Sequence, residues 1–463
     1  MSQDDSKSSK NNIKQRLRKN PPKRKQPPPD DDIDDEDEEM IMLDIADILS
    51  ATLGRPKQEE NENEKYLKSL PKKKRRLLEK EEKKILDMNK ITKPLRYKIL
   101  ESNLSTKIKS VVLEKVDQYE KSNPGSSGFS KLKNYMDTLL KIPFGVYNSL
   151  PVSKYDSPEK ISEFLSNVKK SFDSCIYGQE TAKLRLMEVV AKWITNPKST
   201  GNVIGLCGPP GVGKTTLIKN GLSRAVDVPF AFMPLGGCSN SSMLEGHDYT
   251  YEGSKNGKIV DILIENKCMN PIIFFDEVDK LGESFGGKDI SGVLTHITDF
   301  TQNDCFNDRY FSDIEFDLSK CLFIFSFNDI NKLNPILKDR ITVINMNGFD
   351  RAEKLKIAKN FATPRISKTI GLCNLDYEIP DSVYKHIIEN YCSEEKGIRK
   401  LEKCIESLLM RINIFKLTRD SSYLEGENLD GKIKLDKEIA SKILNKIFNV
   451  NEAASLMLQM MYT

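Results

Sequence analysis

The chain is poor in the residues that build metal and disulfide frameworks. Three histidines stand in 463 residues, and nine cysteines are scattered at 175, 207, 238, 268, 305, 321, 373, 392 and 404 with no C-x-x-C pair. That spacing argues against a zinc site and against a disulfide scaffold. His247, His296 and His386 share no spacing and read as incidental, and no Ser/His/Asp or Cys/His arrangement is evident. There is also no signal-peptide pattern and no apolar run long enough to span a bilayer. These absences lead us to expect a soluble protein of a reducing compartment, cytoplasmic or nuclear and not secreted, with no membrane partner. Charge of one sign is lacking too: a net charge of +4 is too small to argue for nucleic acid by itself. Cys207 and Cys321 sit in apolar, strand-like runs and read as buried small hydrophobes.

What is present is a phosphate-binding loop. Gly208-Pro209-Pro210-Gly211-Val212-Gly213-Lys214-Thr215 satisfies G-x-x-x-x-G-K-[ST], with Thr216 following. An apolar run, Val203 to Cys207, precedes it, and a helical pattern from Leu217 follows. Small residues let backbone N–H groups close around phosphate oxygens, and the helix N-terminus adds positive potential. Lys214 is expected to reach the β- and γ-phosphates and Thr215 to hold Mg²⁺, so ATP and Mg²⁺ are the expected ligands.

The charges are blocked rather than mixed. The first 29 residues carry Lys or Arg at nine positions against Asp4 and Asp5, and Asp30–Glu39 is almost wholly acidic. Such blocks read as a disordered tail, assigned here to 1–63. Within it, residues 40–53 form a short apolar segment, either a helical docking motif or a marginal local helix. A helical N-terminal region is expected over 64–170. It contains Pro71-Lys72-Lys73-Lys74-Arg75-Arg76, which reads as a nuclear-import signal or as a solvated helix start. Residues 123–128 read as a loop, followed by a helix from Phe129 to about Lys141.

From about Ile176 apolar strand candidates at 203–207, 229–234, 271–275, 321–327 and 341–346 alternate with helical stretches. That pattern predicts an α/β domain with a buried parallel sheet, placed at 171–348. Helices at 351–361, 381–391 and 397–417 predict a helical lid domain and C-terminal extension over 349–463. The one later strand candidate is 432–435, and a last helix from about Lys437 ends in Leu456–Met461.

Further chemistry follows the loop. Ile272-Ile273-Phe274-Phe275 runs into Asp276-Glu277, about sixty residues after the loop. Asp276 is expected to accept a Mg²⁺-bound water and Glu277 to orient and polarise the attacking water. Asn328 ends the strand candidate at 321–327. With the loop strand at the centre of the sheet, this strand would lie between the other two and bring Asn328 near the γ-phosphate, unless it only caps a turn. Arg340 would act in trans on a neighbour's nucleotide, or simply pair with Asp339. Arg399 opens a lid helix and could reach the γ-phosphate, coupling lid and nucleotide.

These residues carry a resemblance. From about 130 to 415 the chain resembles the ATPase part of Lon proteases, members of the AAA+ class. Asn134-Tyr135-Met136-Asp137-Thr138-Leu139-Leu140 with Pro143-Phe144-Gly145 looks like a Lon segment, and Ile176-Tyr177-Gly178 stands where Lon has His-Tyr-Gly. Glu245-Gly246-His247-Asp248-Tyr249-Thr250-Tyr251-Glu252-Gly253 is similar to the first pore loop, and Asp276–Gly282 and Gly397-Ile398-Arg399-Lys400-Leu401-Glu402 match closely. The resemblance implies an AAA+ three-layer sandwich, nucleotide contact at Tyr177, and catalytic roles for Glu277, Asn328, Arg340 and Arg399. It implies a homo-oligomeric ring, usually a hexamer, that threads protein substrates past Tyr251, which is otherwise an ordinary surface tyrosine. Glu252 stands where the family tends to carry a β-branched aliphatic, which weakens apolar grip or points to basic substrates. No Gly-Pro-Ser-Ala-Gly nucleophile motif occurs in the 463 residues, so no Ser-Lys peptide cleavage is expected of them. The expected function is an ATP-driven protein unfoldase or remodeller, working alone or feeding a separate protease. The alternative is a nucleic-acid-associated assembly ATPase that binds through its basic N-terminal region.

Overall fold

The computed structural model describes residues 66–448 apart from 68, 90–93, 124–125, 201, 239, 250, 252, 284–285, 374–375 and 425–432. The expected tail at 1–63, the apolar segment at 40–53, Glu252 and the stretch Leu456–Met461 lie outside the described residues. The chain divides into two units between Thr92 and Lys93. The described part of the first is chiefly one helix, Lys72–Asn89. Lys72 to Arg76 are exposed at its start, and Arg75 pairs with Glu79 at 2.7 Å, one turn on.

The second unit opens on three helices, Leu95–Glu101, Thr106–Lys121 and Ser127–Leu139, of which the last is the helix expected from Phe129 to about Lys141. Ser105 and Ser126 start the latter two by accepting the N–H of Ile108 and Phe129, three residues on. The loop expected at 123–128 therefore yields its last residues to a helix. Pro158–Cys175 follows, with Ser157 as its cap and Pro158 in its first turn, and runs through the expected boundary at 170/171. Glu180–Thr195 is next.

Five parallel strands form the sheet: β1 (Asn202–Cys207), β2 (Phe230–Pro234), β3 (Ile272–Asp276), β6 (Leu322–Phe327) and β7 (Thr342–Asn345). Their order is β2-β3-β6-β1-β7, so β6 does lie between the loop strand and β3. The strands are apolar at nearly every position because both faces are covered. Ile273, Phe275, Phe323 and Phe325 face a core shared with Ile99, Val112, Val116 and Met136 of the short helices, where Phe275 stacks on Phe325 at 5.0 Å. Ile204, Leu206, Phe274 and Ile324 face a second core built with Val168, Phe172, Leu186 and Val190. This is the expected three-layer α/β sandwich.

Two features depart from the sequence reading. The chain inserts an antiparallel pair, β4 (Phe306–Asn307) with β5 (Glu315–Phe316), and in the lid an unexpected strand, β8 (Tyr377–Glu378), pairs in parallel with β9 (Ile433–Lys434), which falls within the strand candidate at 432–435. Two-residue strands are too short to show a period of two. Cys321 is buried as expected, but Cys207 is only half-buried, because β1 ends there and its thiol sits 3.8 Å from the Asn328 carbonyl.

The lid has its own core around Leu401, Ile405, Leu408 and Ile412. A capping box, Asp350 with Glu353, starts Arg351–Ile357, which continues through a π-helical segment, Ala358–Ala362, into Thr363–Ile370. Asp381–Tyr391 and Arg399–Thr418 complete it.

Candidate functional site

The phosphate-binding loop joins the end of β1 to a helical turn, Lys214–Thr216, at the carboxyl edge of the parallel strands, where ligands of such sheets sit. Gly211 and Gly213 have φ of +79° and +93°, which side chains rarely adopt. A Cβ on Gly213 would also stand 2.5 Å from Ile176 Cδ1. The helix then widens into a π segment, Leu217–Ser223, in which Gly221 lets the Phe172 ring approach its backbone. Such widening recurs at functional sites.

Lys214 is held from two strands. Its Nζ donates to Asn328 Oδ1 at 2.8 Å, to the Phe327 carbonyl at 3.3 Å and to the Gly208 carbonyl. Burial pushes its ammonium below the ordinary lysine range, and the charges of Asp276 and Asp279 oppose that shift. Asn328 is positioned in turn by Asp279. One carboxylate oxygen of Asp279 accepts the N–H of Asn328 at 2.9 Å and of Asp329 at 3.3 Å. Glu277 takes a left-handed φ of +58°, a strained geometry for a residue with a side chain. Its Oε1 pairs with Lys280 Nζ at 2.7 Å, and its other oxygen lies against Gly236, where a Cβ would collide with it. Asp276 Oδ1 accepts the Glu277 N–H at 3.1 Å.

Sheet domain and lid enclose one cavity of about 270 Å³. The sheet domain lines it with Pro210 to Thr216, Asp276, Glu277 and Asn328. Tyr177, Phe349, Ile357, Phe361 and Ala362 form an apolar wall, with Tyr177 edge-on to Phe361 at 6.3 Å. Arg399 lines the cavity from the lid, as do Arg365 and Glu402, which pair with each other. The lid rests directly on the loop: Ile398 N donates to the Gly211 carbonyl at 3.1 Å, and a Cβ on Gly397 would strike the Pro210 carbonyl.

Two expected site residues need separate placement. Arg340 does not line this cavity. It does not pair with Asp339 either: its guanidinium binds Asp299 Oδ2 at 2.9 Å and the Thr295 carbonyl, because the Gly287–Thr298 helix ends beside it. Tyr251 is 69% exposed and does not line this cavity; it sits on the segment between Gly246 and Gly257. The turn pair β4–β5 anchors that segment. Asp308 Oδ2 accepts the Gly257 N–H at 2.7 Å, and Arg309 pairs with Glu245 at 2.8 Å.

The residues present suit a triphosphate and its metal. The loop has glycines where side chains would close it, a half-buried lysine faces it, and an apolar wall lies beside it for a base. Thr215 and Asp276 are two oxygen donors, which suits Mg²⁺, an ion that keeps several waters and takes further oxygens from phosphate.

Comparison with known proteins agrees. The model of the ATPase family associated with various cellular activities (AAA) matches residues 204–348. The chain is 35% identical over 379 residues to a Lon protease homolog of Acanthamoeba polyphaga mimivirus, covering 75% of this chain and 36% of that protein. This chain carries a Lon-like AAA domain. The Lon-like match extends to a mitochondrial Lon protease homolog of Dictyostelium discoideum (34% over 319 residues; 69% of this chain, 32% of that one). It extends also to the Lon protease of Fusobacterium nucleatum (31% over 358 residues; 76% and 45%). The chain thus spans about a third to just under a half of the length of these relatives.

Within the Lon-like domain the structure brings Lys214, Thr215, Asp276, Glu277, Asn328, Arg399 and Tyr177 to one cavity. Sequence reasoning missed Asp279, Arg365 and Glu402. Asp279 had a signal, a second acid two residues after Glu277, but its burial was not visible. Glu402 had one too, closing the Gly397–Glu402 motif, but Arg365 had none, being one charge among many in lid helices.

Proposed function

We propose that this chain hydrolyses ATP with Mg²⁺ and turns the cycle into movement of its lid against its sheet domain, to thread or remodel polypeptide. The observation that carries this reading is the seating of Gly397-Ile398-Arg399 on Pro210-Gly211. The segment that would grip phosphate is also the floor on which the lid stands. A change in what the loop holds is therefore passed to the lid.

In this reading Lys214 and Arg399 neutralise phosphate charge from opposite sides of the cavity, and the Tyr177 wall receives the base. Thr215 and Asp276 would hold Mg²⁺, which supplies charge stabilisation at the phosphates. Glu277 leaves Lys280 and orients the attacking water, while Asn328, held by Asp279, fixes that water's other side. Arg340 is withheld from its own subunit's cavity by Asp299, which supports a role at a neighbour's site and hence a ring of copies. Tyr251, exposed on an anchored segment, would meet the polypeptide, since a flat aromatic grips without reading sequence. The proposal needs no peptidase site in these residues and accommodates a separate protease.

The test is Glu277→Gln. ATP binding should persist while turnover falls by roughly 10²–10³, the scale of losing one transition-state group. Normal turnover would remove Glu277 from its role. The same variant, recovered from cells with ATP bound, should retain polypeptide; nucleic acid in its place would favour an assembly ATPase.

A further inference from the structure

A second cavity, of about 290 Å³, opens at the other edge of the sheet, where the strands begin. Ser199 precedes β1, Val228 precedes β2, Asn270 precedes β3 and Lys320 precedes β6; the connecting segment from Tyr147 to Ser153 closes it over Trp193. The segment is fastened in place by a reciprocal amide pair. Asn148 N donates to Asn270 Oδ1 and Asn270 Nδ2 to the Asn148 carbonyl, both at 2.8 Å.

Its chemistry is asymmetric. Leu150, Val152, Trp193 and Val228 make an apolar wall. Among the described residues Lys320 is the one charged residue lining it, and no acid does. The Lys320 ammonium lies 3.7 Å over the Tyr147 ring and forms no ion pair among the described residues. Asp317, whose charge reaches the Tyr147 hydroxyl, has an oxygen engaged by the Ser319 N–H at 2.9 Å. Ser199 is 9% exposed, and its Oγ is buried with no hydrogen-bond partner among the described residues.

We propose that this cavity binds a small apolar carboxylate. Its acid group meets Lys320, and its body packs on Trp193 and Val152. The apolar residue at a peptide C-terminus and a free aromatic acid share that chemistry. The site is independent of the nucleotide cavity, which lies at the opposite ends of the same strands.

The test uses the chain's single tryptophan, Trp193, as a reporter inside the site. The full chain is titrated with 3-phenylpropionate and with the peptide Ala-Ala-Ala-Phe, each as free acid and as amide, and Trp193 emission is followed. At least one acid should shift the emission saturably, and its amide should bind roughly tenfold more weakly or worse, as loss of a charge-assisted contact requires. Response to phenylpropionate alone identifies a free acid, and response to the peptide a C-terminus. Lys320→Met should weaken binding by a similar factor and Lys320→Arg should restore it, with thermal unfolding confirming that both fold. No saturable change with either acid, or equal binding of acid and amide by the unaltered chain, overturns the proposal and leaves water as the occupant.

Discussion

Asp279 and Asp308 are acids buried in the second unit for different purposes. Asp279 uses one oxygen on the backbone of Asn328 and Asp329, while the other has no hydrogen bond among the described residues. Asp279→Ala should therefore release Asn328 and lower kcat by roughly 10–100-fold, the scale of losing a supporting partner, with nucleotide affinity little changed. Steady-state ATPase rates beside equilibrium nucleotide binding check this; an equal loss in both would mean that Asp279 only holds the fold. Asp308 is pushed up to about 7, chiefly by burial, against the pull of three backbone N–H groups, of Gly257, Tyr310 and Phe311. The sign follows. The folded chain keeps this proton while the unfolded chain loses it near the ordinary value of 3.8, so the Asp308 contribution to stability falls as pH rises from about 4 to 7. Asp308→Asn should flatten that limb of the stability profile, read by denaturant unfolding at several pH values. At neutral pH it should also be destabilised by roughly 1–3 kcal/mol, because an amide offers one acceptor where the carboxylate serves both Gly257 and Tyr310.

At the scale of elements, the decisive contact is loop against lid. Gly397 has no room for a Cβ beneath the Pro210 carbonyl. Gly397→Ala should lift the start of the Arg399–Thr418 helix from the loop and move Arg399 away from the cavity. We expect nucleotide affinity to fall by about tenfold, 1.4 kcal/mol, with circular dichroism unchanged. Unaltered affinity would show that the seating does not matter to binding. Much of this element-level picture was legible beforehand. The loop showed itself because Gly, Lys and Thr at set spacing have few structural reasons to coincide. The strands showed themselves because burial on both faces demands unbroken apolar runs such as Ile272–Phe275. The contact of Gly397 with Pro210 was not legible, since it joins residues far apart in the chain through backbone atoms that every residue shares. The break of the helix near Ser102–Leu104 was hidden by a composition that favours helix throughout.

At the scale of the whole molecule, Arg340 carries the expectation of assembly. Its pairing with Asp299 keeps it at about a third exposed and out of its own cavity. Arg340→Ala and Glu277→Gln should each be inactive alone. Mixing them should restore part of the ATPase rate, because one subunit would then contribute an intact arginine to a neighbour with an intact glutamate. No rescue at any ratio counts against a site shared between copies. The sequence by itself determined the ligand class, the strand-and-helix alternation and the identity of the acids and bases, because local spacing and hydrophobic pattern encode those directly. Tertiary structure alone decided that Arg340 binds Asp299 instead of its neighbour Asp339. It alone seated the lid on the phosphate-binding loop, buried Asp279 behind Asn328, and left Ser199 and Lys320 around a second cavity. Each of these depends on which surfaces the folded sheet brings within a few ångströms, and no pattern along the chain records that.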